Sequence, residues 1–250
     1  MKYLSITLFT LISLTSFSQT KFINSGKISY TRTVGQYTII ESMAANDGSE
    51  GWFDDMKKFF PKLVTDNFVL EFNDNKSLYK IEKENPENKY IIQNLKPTEV
   101  DFVSQQLSDD LVVMKRTVFE NEYLVKDSLV KYEWKITGEV RDIAGFECKK
   151  ATTKICDSVV IVAFYTDQIP VKAGPENFNG LPGMIMGLAV PRLATTWFAT
   201  KLELQSPVIA SAEILSKGKS VQRMQINKDL NKGLAAWGKM GKLIVWIASL

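Results

Sequence analysis

The sequence has 250 residues, with 31 Lys and Arg against 28 Asp and Glu, a formal net charge of +3, two cysteines and no histidine. The missing imidazole excludes Ser-His-Asp, Cys-His and HExxH catalysis and removes the commonest ligand of zinc, copper and iron sites. The charges read as interspersed, without a basic stripe, so no nucleic acid partner is expected.

At the start, Lys2 precedes an apolar stretch over residues 3–14, then small residues around Ser16, Phe17 and Ser18 before Gln19. That is the layout of a cleaved secretory signal over residues 1–18, and it places the protein in the periplasm, at the outer-membrane periphery or outside the cell. The stretch is shorter than the roughly 20 apolar residues a bilayer span needs, so no transmembrane span is expected in the mature chain. Residues 19–232 read as a single domain, because all-β chains of roughly 200–250 residues often fold as one unit.

Short strands dominate the rest. Residues 26–34 alternate strictly, with Ile28, Tyr30 and Arg32 on one side and Ser29, Thr31 and Thr33 on the other. Residues 51–60 are the clearest helix, with Trp52, Phe53, Met56, Phe59 and Phe60 on one side as core packing and Pro61 as the stop. Residues 68–72 and 77–81 bracket a turn at Asn73 to Lys76 and predict a hairpin. Further strands are expected over 90–95, 111–119, 123–125, 132–136, 146–151, 159–165, 184–190 and 195–204, the spacing of an antiparallel meander.

Cys148 and Cys156 fall on what the pattern predicts to be two arms of one hairpin, with its turn near Thr152. In an exported protein that placement favours a disulfide over free buried thiols. The spacing is not a CxxC redox pair, and no further soft ligands exist for zinc, so neither a metal nor a cofactor is expected.

Residues 174–188 concentrate four glycines and two prolines ahead of an apolar run. Gly174 and Pro175 break the chain, and Gly180 and Leu181 lead into Pro182 and Gly183. Leu181 to Met184 predicts a type II turn, since proline presets φ at its second position and glycine accepts positive φ at its third. Met184, Ile185 and Met186 then open a buried strand, in which Gly187 leaves room for another backbone or a ligand. A proline-stiffened loop is the plainer reading and a ligand-contacting loop the alternative. The glycine spacing matches neither a P-loop nor a dinucleotide fingerprint.

Residues 233–250 form an apolar tail or a last core element, as a strand or a docked amphipathic helix, with a membrane-touching or partner-docking segment as the alternative. No pair of carboxylates stands out as catalytic. Asp54-Asp55 and Asp109-Asp110 are adjacent pairs, and neighbours on a strand face opposite ways.

The order Trp134 to Thr137, Ile143 to Ala151, Phe164 to Pro170, Gly174-Pro175 and Gly180 to Ile185 closely resembles the GLPGLI family of exported Bacteroidota-type proteins. The name-giving motif reads GLPGMI here, with Met184 in place of leucine. Cys148 matches the family's single cysteine and Cys156 looks like an addition. The resemblance implies an exported protein and a mainly β fold: a strongly curved antiparallel sheet, half-barrel or bowl, similar to envelope lipoprotein carriers, with one or two short helices. It implies no catalytic residues. The leading expectation is a non-enzymatic envelope binding module that holds an apolar small molecule, a lipid or an outer-membrane protein partner at its concave face. A carboxylate-dependent hydrolase of envelope glycans or peptides, or a structural accessory of an outer-membrane complex, are the alternatives.

Overall fold

Alternation along the first strand, β1 (Gly26–Gly35), decides which way the sheet faces: Ile28, Tyr30, Arg32 and Val34 are buried, while Lys27, Ser29, Thr31 and Thr33 are only partly covered. In this computed structural model, residues 22–44, 50–119, 121–156, 158–218 and 220–250 are described, and the expected secretory signal lies outside them. After β1 come α1 (Gln36–Ala44), α2 (Glu50–Lys57), β2 (Leu63–Asn73), β3 (Lys76–Ile81), β4 (Phe102–Gln106), β5 (Leu111–Val118) and β6 (Asn121–Ser128). Then follow β7 (Lys135–Ile143), β8 (Phe146–Ile155), β9 (Val159–Thr166), β10 (Met184–Val190), β11 (Thr195–Glu203), α3 (Ala212–Leu215), α4 (Arg223–Gly233) and α5 (Gly238–Ala248).

The strands make one antiparallel sheet in the order β6-β5-β4-β3-β2-β1-β11-β10-β9-β8-β7. The first and last strands pair at its centre, and the two edges, β6 and β7, are neighbours in sequence. The fold is therefore an up-and-down meander that opens at a single seam, between β6 and β7. Curvature is strongest beside β7. Arg141 of β7 reaches across three intervening strands to lie 4.7 Å from the ring centroid of Phe198 on β11. The β6 edge is capped by residue 221, whose N–H donates to the Leu124 carbonyl and whose carbonyl accepts from Lys126.

The buried face is closed by the chain's own segments. Tyr132 and Trp134, in the crossing from β6 to β7, pack on Phe178, with ring centroids 5.1 and 6.3 Å apart. Residues 132–134 were expected to be strand, but they span the seam, where no strand lies alongside to receive their hydrogen bonds. At the carboxyl end α5 buries Leu243, Ile244 and Val245 in the core, joined by Leu250. The apolar run is thus a docked helix. Among the described residues no helix is long and apolar enough to cross a membrane.

The hairpin at Asn73 to Lys76 has the expected register, Asn73 opposite Lys76. Residues 90–95 depart from expectation: they form an irregular segment ending in a 3-10 turn over Gln93–Leu95. Gln36 takes the place of a strand partner there, donating to the Lys89 carbonyl and accepting from the Ile91 N–H. The aromatic face expected over 51–60 is not all core, since Phe59 is 71 % exposed.

Cys148 and Cys156 are free thiols, which corrects the expected disulfide. β8 runs unbroken from Phe146 to Ile155 with Thr152 in mid-ladder, so Cys148 lies near its start and Cys156 in the turn just past its end, roughly 25 Å apart at 3.3 Å per residue. The turn lies instead at Ala144 and Gly145, both at positive φ (51° and 83°), the two-residue hairpin geometry that joins β7 to β8. Cys148 is buried, and burial pushes its thiol up to about 12, whereas Cys156 is exposed. A thiol reagent at neutral pH is expected to modify one cysteine per native chain rapidly and the second only on unfolding. Two fast thiols, or none, would contradict this arrangement.

Candidate functional site

Strand register assembles a polar cluster on the buried face. Arg32 on β1 lies opposite Asp66 on β2 and, on its other side, opposite Trp197 on β11, so one row crosses three strands. Leu70 opposite Tyr79 on β3, then Val103 and Met114, forms another row. Arg32 is locked: its Nη2 donates to Asp66 Oδ2 at 2.7 Å, to the Leu95 carbonyl at 2.7 Å and to Tyr90 Oη at 3.0 Å. Tyr90 in turn donates a short hydrogen bond to Asp66. Burial pulls the Arg32 guanidinium down, yet its anionic neighbours outweigh that and hold it above its ordinary value.

A second pair bridges the two halves of the sheet. Arg116 of β5 donates through Nη2 to the carboxylate of Glu176, which belongs to the loop before β10 and is 4 % exposed. Glu176 adopts φ +56°, a left-handed conformation that costs a non-glycine residue roughly 1 kcal/mol or more. Asp101 accepts from the Thr117 hydroxyl at 2.8 Å, and burial raises its carboxyl although Arg116 opposes the shift.

Between these pairs lies a cavity of about 70 Å³, whose walls include Arg32, Tyr79, Arg116, Glu176 and Trp197, roofed by Ile244, Ile247 and Leu250 at the end of α5. Exposed Lys80 and Lys96 stand among its outer residues, Lys96 paired with Glu84 at 3.6 Å, together with Asp101. Four polar atoms of these lining residues are buried without a protein partner: Arg32 Nε, Arg116 Nε, Tyr79 Oη and Trp197 Nε1. All four can donate a hydrogen bond and three can do nothing else. The residues around the cavity thus carry unmet donors alongside the carboxylates of Glu176 and Asp101. Among the described residues no group of three or more Asp, Glu or Cys gathers to hold a metal.

None of the nine residues singled out around the glycine-proline segment lines that cavity. Gly174, Pro175, Leu181, Gly183, Met184, Ile185 and Met186 are buried, and Gly180 and Pro182 face solvent. The segment is a backbone clamp. Met184 N–H donates to the Ile169 carbonyl, Ile185 N–H to the Ala173 carbonyl, Tyr30 Oη to the Ile185 carbonyl and Trp134 Nε1 to the Asn179 carbonyl, at 2.7 to 2.9 Å. The expected type II turn is instead a tighter γ-turn about Pro182, with Gly183 N–H donating to the Leu181 carbonyl at 2.7 Å. Met184 N–H, which would close a type II turn, is taken by Ile169. The gap at Gly187 is filled by the chain itself, since a Cβ there would stand 2.9 Å from Ile143 and from Phe198.

The cavity residues Arg32, Asp66, Tyr79, Arg116, Glu176 and Trp197 escaped the sequence reading of sites. One signal existed: Arg32 shares the core-facing parity of Ile28, Tyr30 and Val34, so a charge was due on the buried face.

The geometry defines an open antiparallel half-barrel with a polar pocket beneath its last helix. The model of a family described as a protein of unknown function, Porph_ging, matches residues 152–187, from β8 to the start of β10. No curated protein matches the sequence. Two solved structures of PNGF-II, in C2 and P21 crystal forms, are similar in fold, with TM-scores of 0.51 and 0.53 at 18 % and 17 % identity. The alignments cover 90 % and 82 % of this chain but 33 % and 32 % of PNGF-II, so this chain spans about a third of that protein.

Proposed function

We propose that this chain is an exported, non-enzymatic binding module of the envelope, of the GLPGLI type, whose ligand is a small oxygen-rich anion held in the cavity under α5. The observation that carries the reading is that four unpartnered buried donors belong to residues lining one cavity. Each lacks a protein partner, and a buried donor left unmet costs about 1–3 kcal/mol. A space of about 70 Å³ takes on the order of five waters, or one anion of carboxylate or phosphate size. It does not take an acyl chain, and the concave face around it is filled by α5 and the glycine-proline segment; both points argue against the apolar-ligand version. Against hydrolysis stands the pairing of the two buried carboxylates, Asp66 and Glu176, each with its own arginine.

The test is calorimetric titration with acetate, glycolate, bicarbonate and phosphate, on the wild type, on Tyr79→Phe and on Tyr79→Phe/Trp197→Phe. Tyr79→Phe keeps its ring and removes one unpartnered donor, while Trp197→Phe removes a second and replaces the buried indole by a smaller phenyl ring. At least one anion is expected to bind the wild type, and the double variant to bind it about tenfold or more weakly, while Tyr79→Phe alone should weaken binding with an unchanged or higher melting temperature. Equal affinity in the wild type and the double variant, or no binding by any of the four, would refute the assignment.

A further inference from the structure

Charge is interspersed only up to the carboxyl-terminal helices. Residues 223–242, spanning α4, the turn at Trp237 and the start of α5, hold Arg223, Lys228, Lys232, Lys239 and Lys242 against Asp229 alone, a net of +4 in a chain whose total is +3. The excess positive charge of the whole protein therefore sits on one helical hairpin, a concentration that the reading of dispersed charges missed.

The cations are presented outward. Lys228 and Lys232 are four residues apart on α4, and Lys239 and Lys242 three apart on α5, so each pair shares a helix face, and all four are exposed. Among the described residues no carboxylate lies within salt-bridge distance of Lys228, Lys232 or Lys242. Lys239 and Lys242 border a groove of about 410 Å³ together with Arg192, whose guanidinium lies 5.0 Å from the ring centroid of Trp246. Exposed apolar groups occur on the same hairpin and against it. Trp237 is 52 % exposed and packs edge-on against Phe119, itself 39 % exposed, and Met224 is 75 % exposed.

Exposed lysines and a half-exposed tryptophan on one helical hairpin are the combination that holds a protein at a charged lipid surface. The ring enters the headgroup region and the ammonium groups meet anionic phosphates. We infer that the α4–α5 hairpin is an electrostatic docking face for an anionic phospholipid bilayer. Its occupant is the lipid surface, not a bound lipid inside the fold, and the site is separate from the cavity under α5. Each lysine near such a surface contributes roughly a fivefold gain in affinity, and the attraction fades beyond a Debye length of about 10 Å at 0.1 M salt.

The experiment is vesicle flotation of the chain from Gln19 onward, which includes every element of the fold. Equimolar phosphatidylglycerol and phosphatidylcholine vesicles are compared with pure phosphatidylcholine, at low and high salt. Binding is expected on the anionic vesicles alone and is expected to disappear at high salt. Lys232→Glu/Lys239→Glu/Lys242→Glu should weaken it by at least about tenfold without moving the melting temperature. Trp237→Ala should weaken vesicle binding but leave any binding to heparin, a soluble polyanion, unchanged. Equal binding to both vesicle types, indifference to the triple substitution, or a Trp237→Ala loss that is the same on heparin would overturn the proposal.

Discussion

Valine at position 183 should leave little or no folded protein. A Cβ there would stand 2.0 Å from the Thr166 carbonyl oxygen and 3.0 Å from Asp167 Cα, both backbone atoms that no rotamer change moves aside. The collision falls where β10 leaves the γ-turn at Pro182 to pair with β9, so relieving it would pull Met184 away from the Ile169 carbonyl and from its place opposite Thr166. Gly174 is nearly as tight, with a Cβ 2.6 Å from that of Ile185. We expect Gly183→Val to cost about 4 kcal/mol or more in chemical denaturation, or to yield insoluble chain. Gly233→Ala is the control: no atom lies within 4 Å of a Cβ at that position. A Gly183→Val protein within about 1 kcal/mol of wild type would show that the clamp is dispensable.

The second large effect is expected from Asp66→Ala. Its carboxylate is 2 % exposed, and it is the only acidic group that an ion pair gives to Arg32 among the described residues. Removing it leaves a guanidinium buried with only the Tyr90 hydroxyl and the Leu95 carbonyl as acceptors. Breaking one side of a buried pair typically costs about 3–5 kcal/mol, because the surviving charge stays desolvated. Asp66→Asn retains an acceptor oxygen and should fall well below that loss. Urea midpoints of the two variants decide the point, and a loss below about 1 kcal/mol in Asp66→Ala would mean that Arg32 finds water on its own.

These two positions also show what the chain reveals before it is folded. The meander was legible wherever a strand alternates or a turn carries its own residues, as in β1 and the hairpin at Asn73 to Lys76. β4 was not. Its sequence FVSQQ puts Ser104, Gln105 and Gln106 in the interior, and buried polar side chains erase the apolar pattern that would announce a strand. The first helix, α1, follows β1 without a break. The cysteine pairing failed for a related reason, since the turn signal at Ala144 and Gly145 was outweighed by an imagined one eight residues later.

The cavity was harder still. Arg32 and Asp66 are 34 residues apart, and Arg116 and Glu176 are 60 apart, so each pair exists only once strand order and register are known. The glycine-proline segment was legible as an unusual stretch but not as to its role. Its composition records close backbone contacts with residues 166–173, which turn and register bring together and which composition alone does not announce.

The pairing of β1 with β11 at the middle of the sheet has a further consequence, for the order of assembly. Arg32 must find Trp197, a partner 165 positions away, before the two half-sheets become one, whereas the β2–β3 and β8–β9 ladders close over short loops. Loop closure over such a span is paid for late, so each half can form its local hairpins while the central seam waits for the last strand. During synthesis or threading through a narrow channel from the amino end, β1 has no partner on its β11 side until most of the chain has passed. A chain built this way can form its local hairpins early, but its interior is covered only as the final strand and α5 arrive.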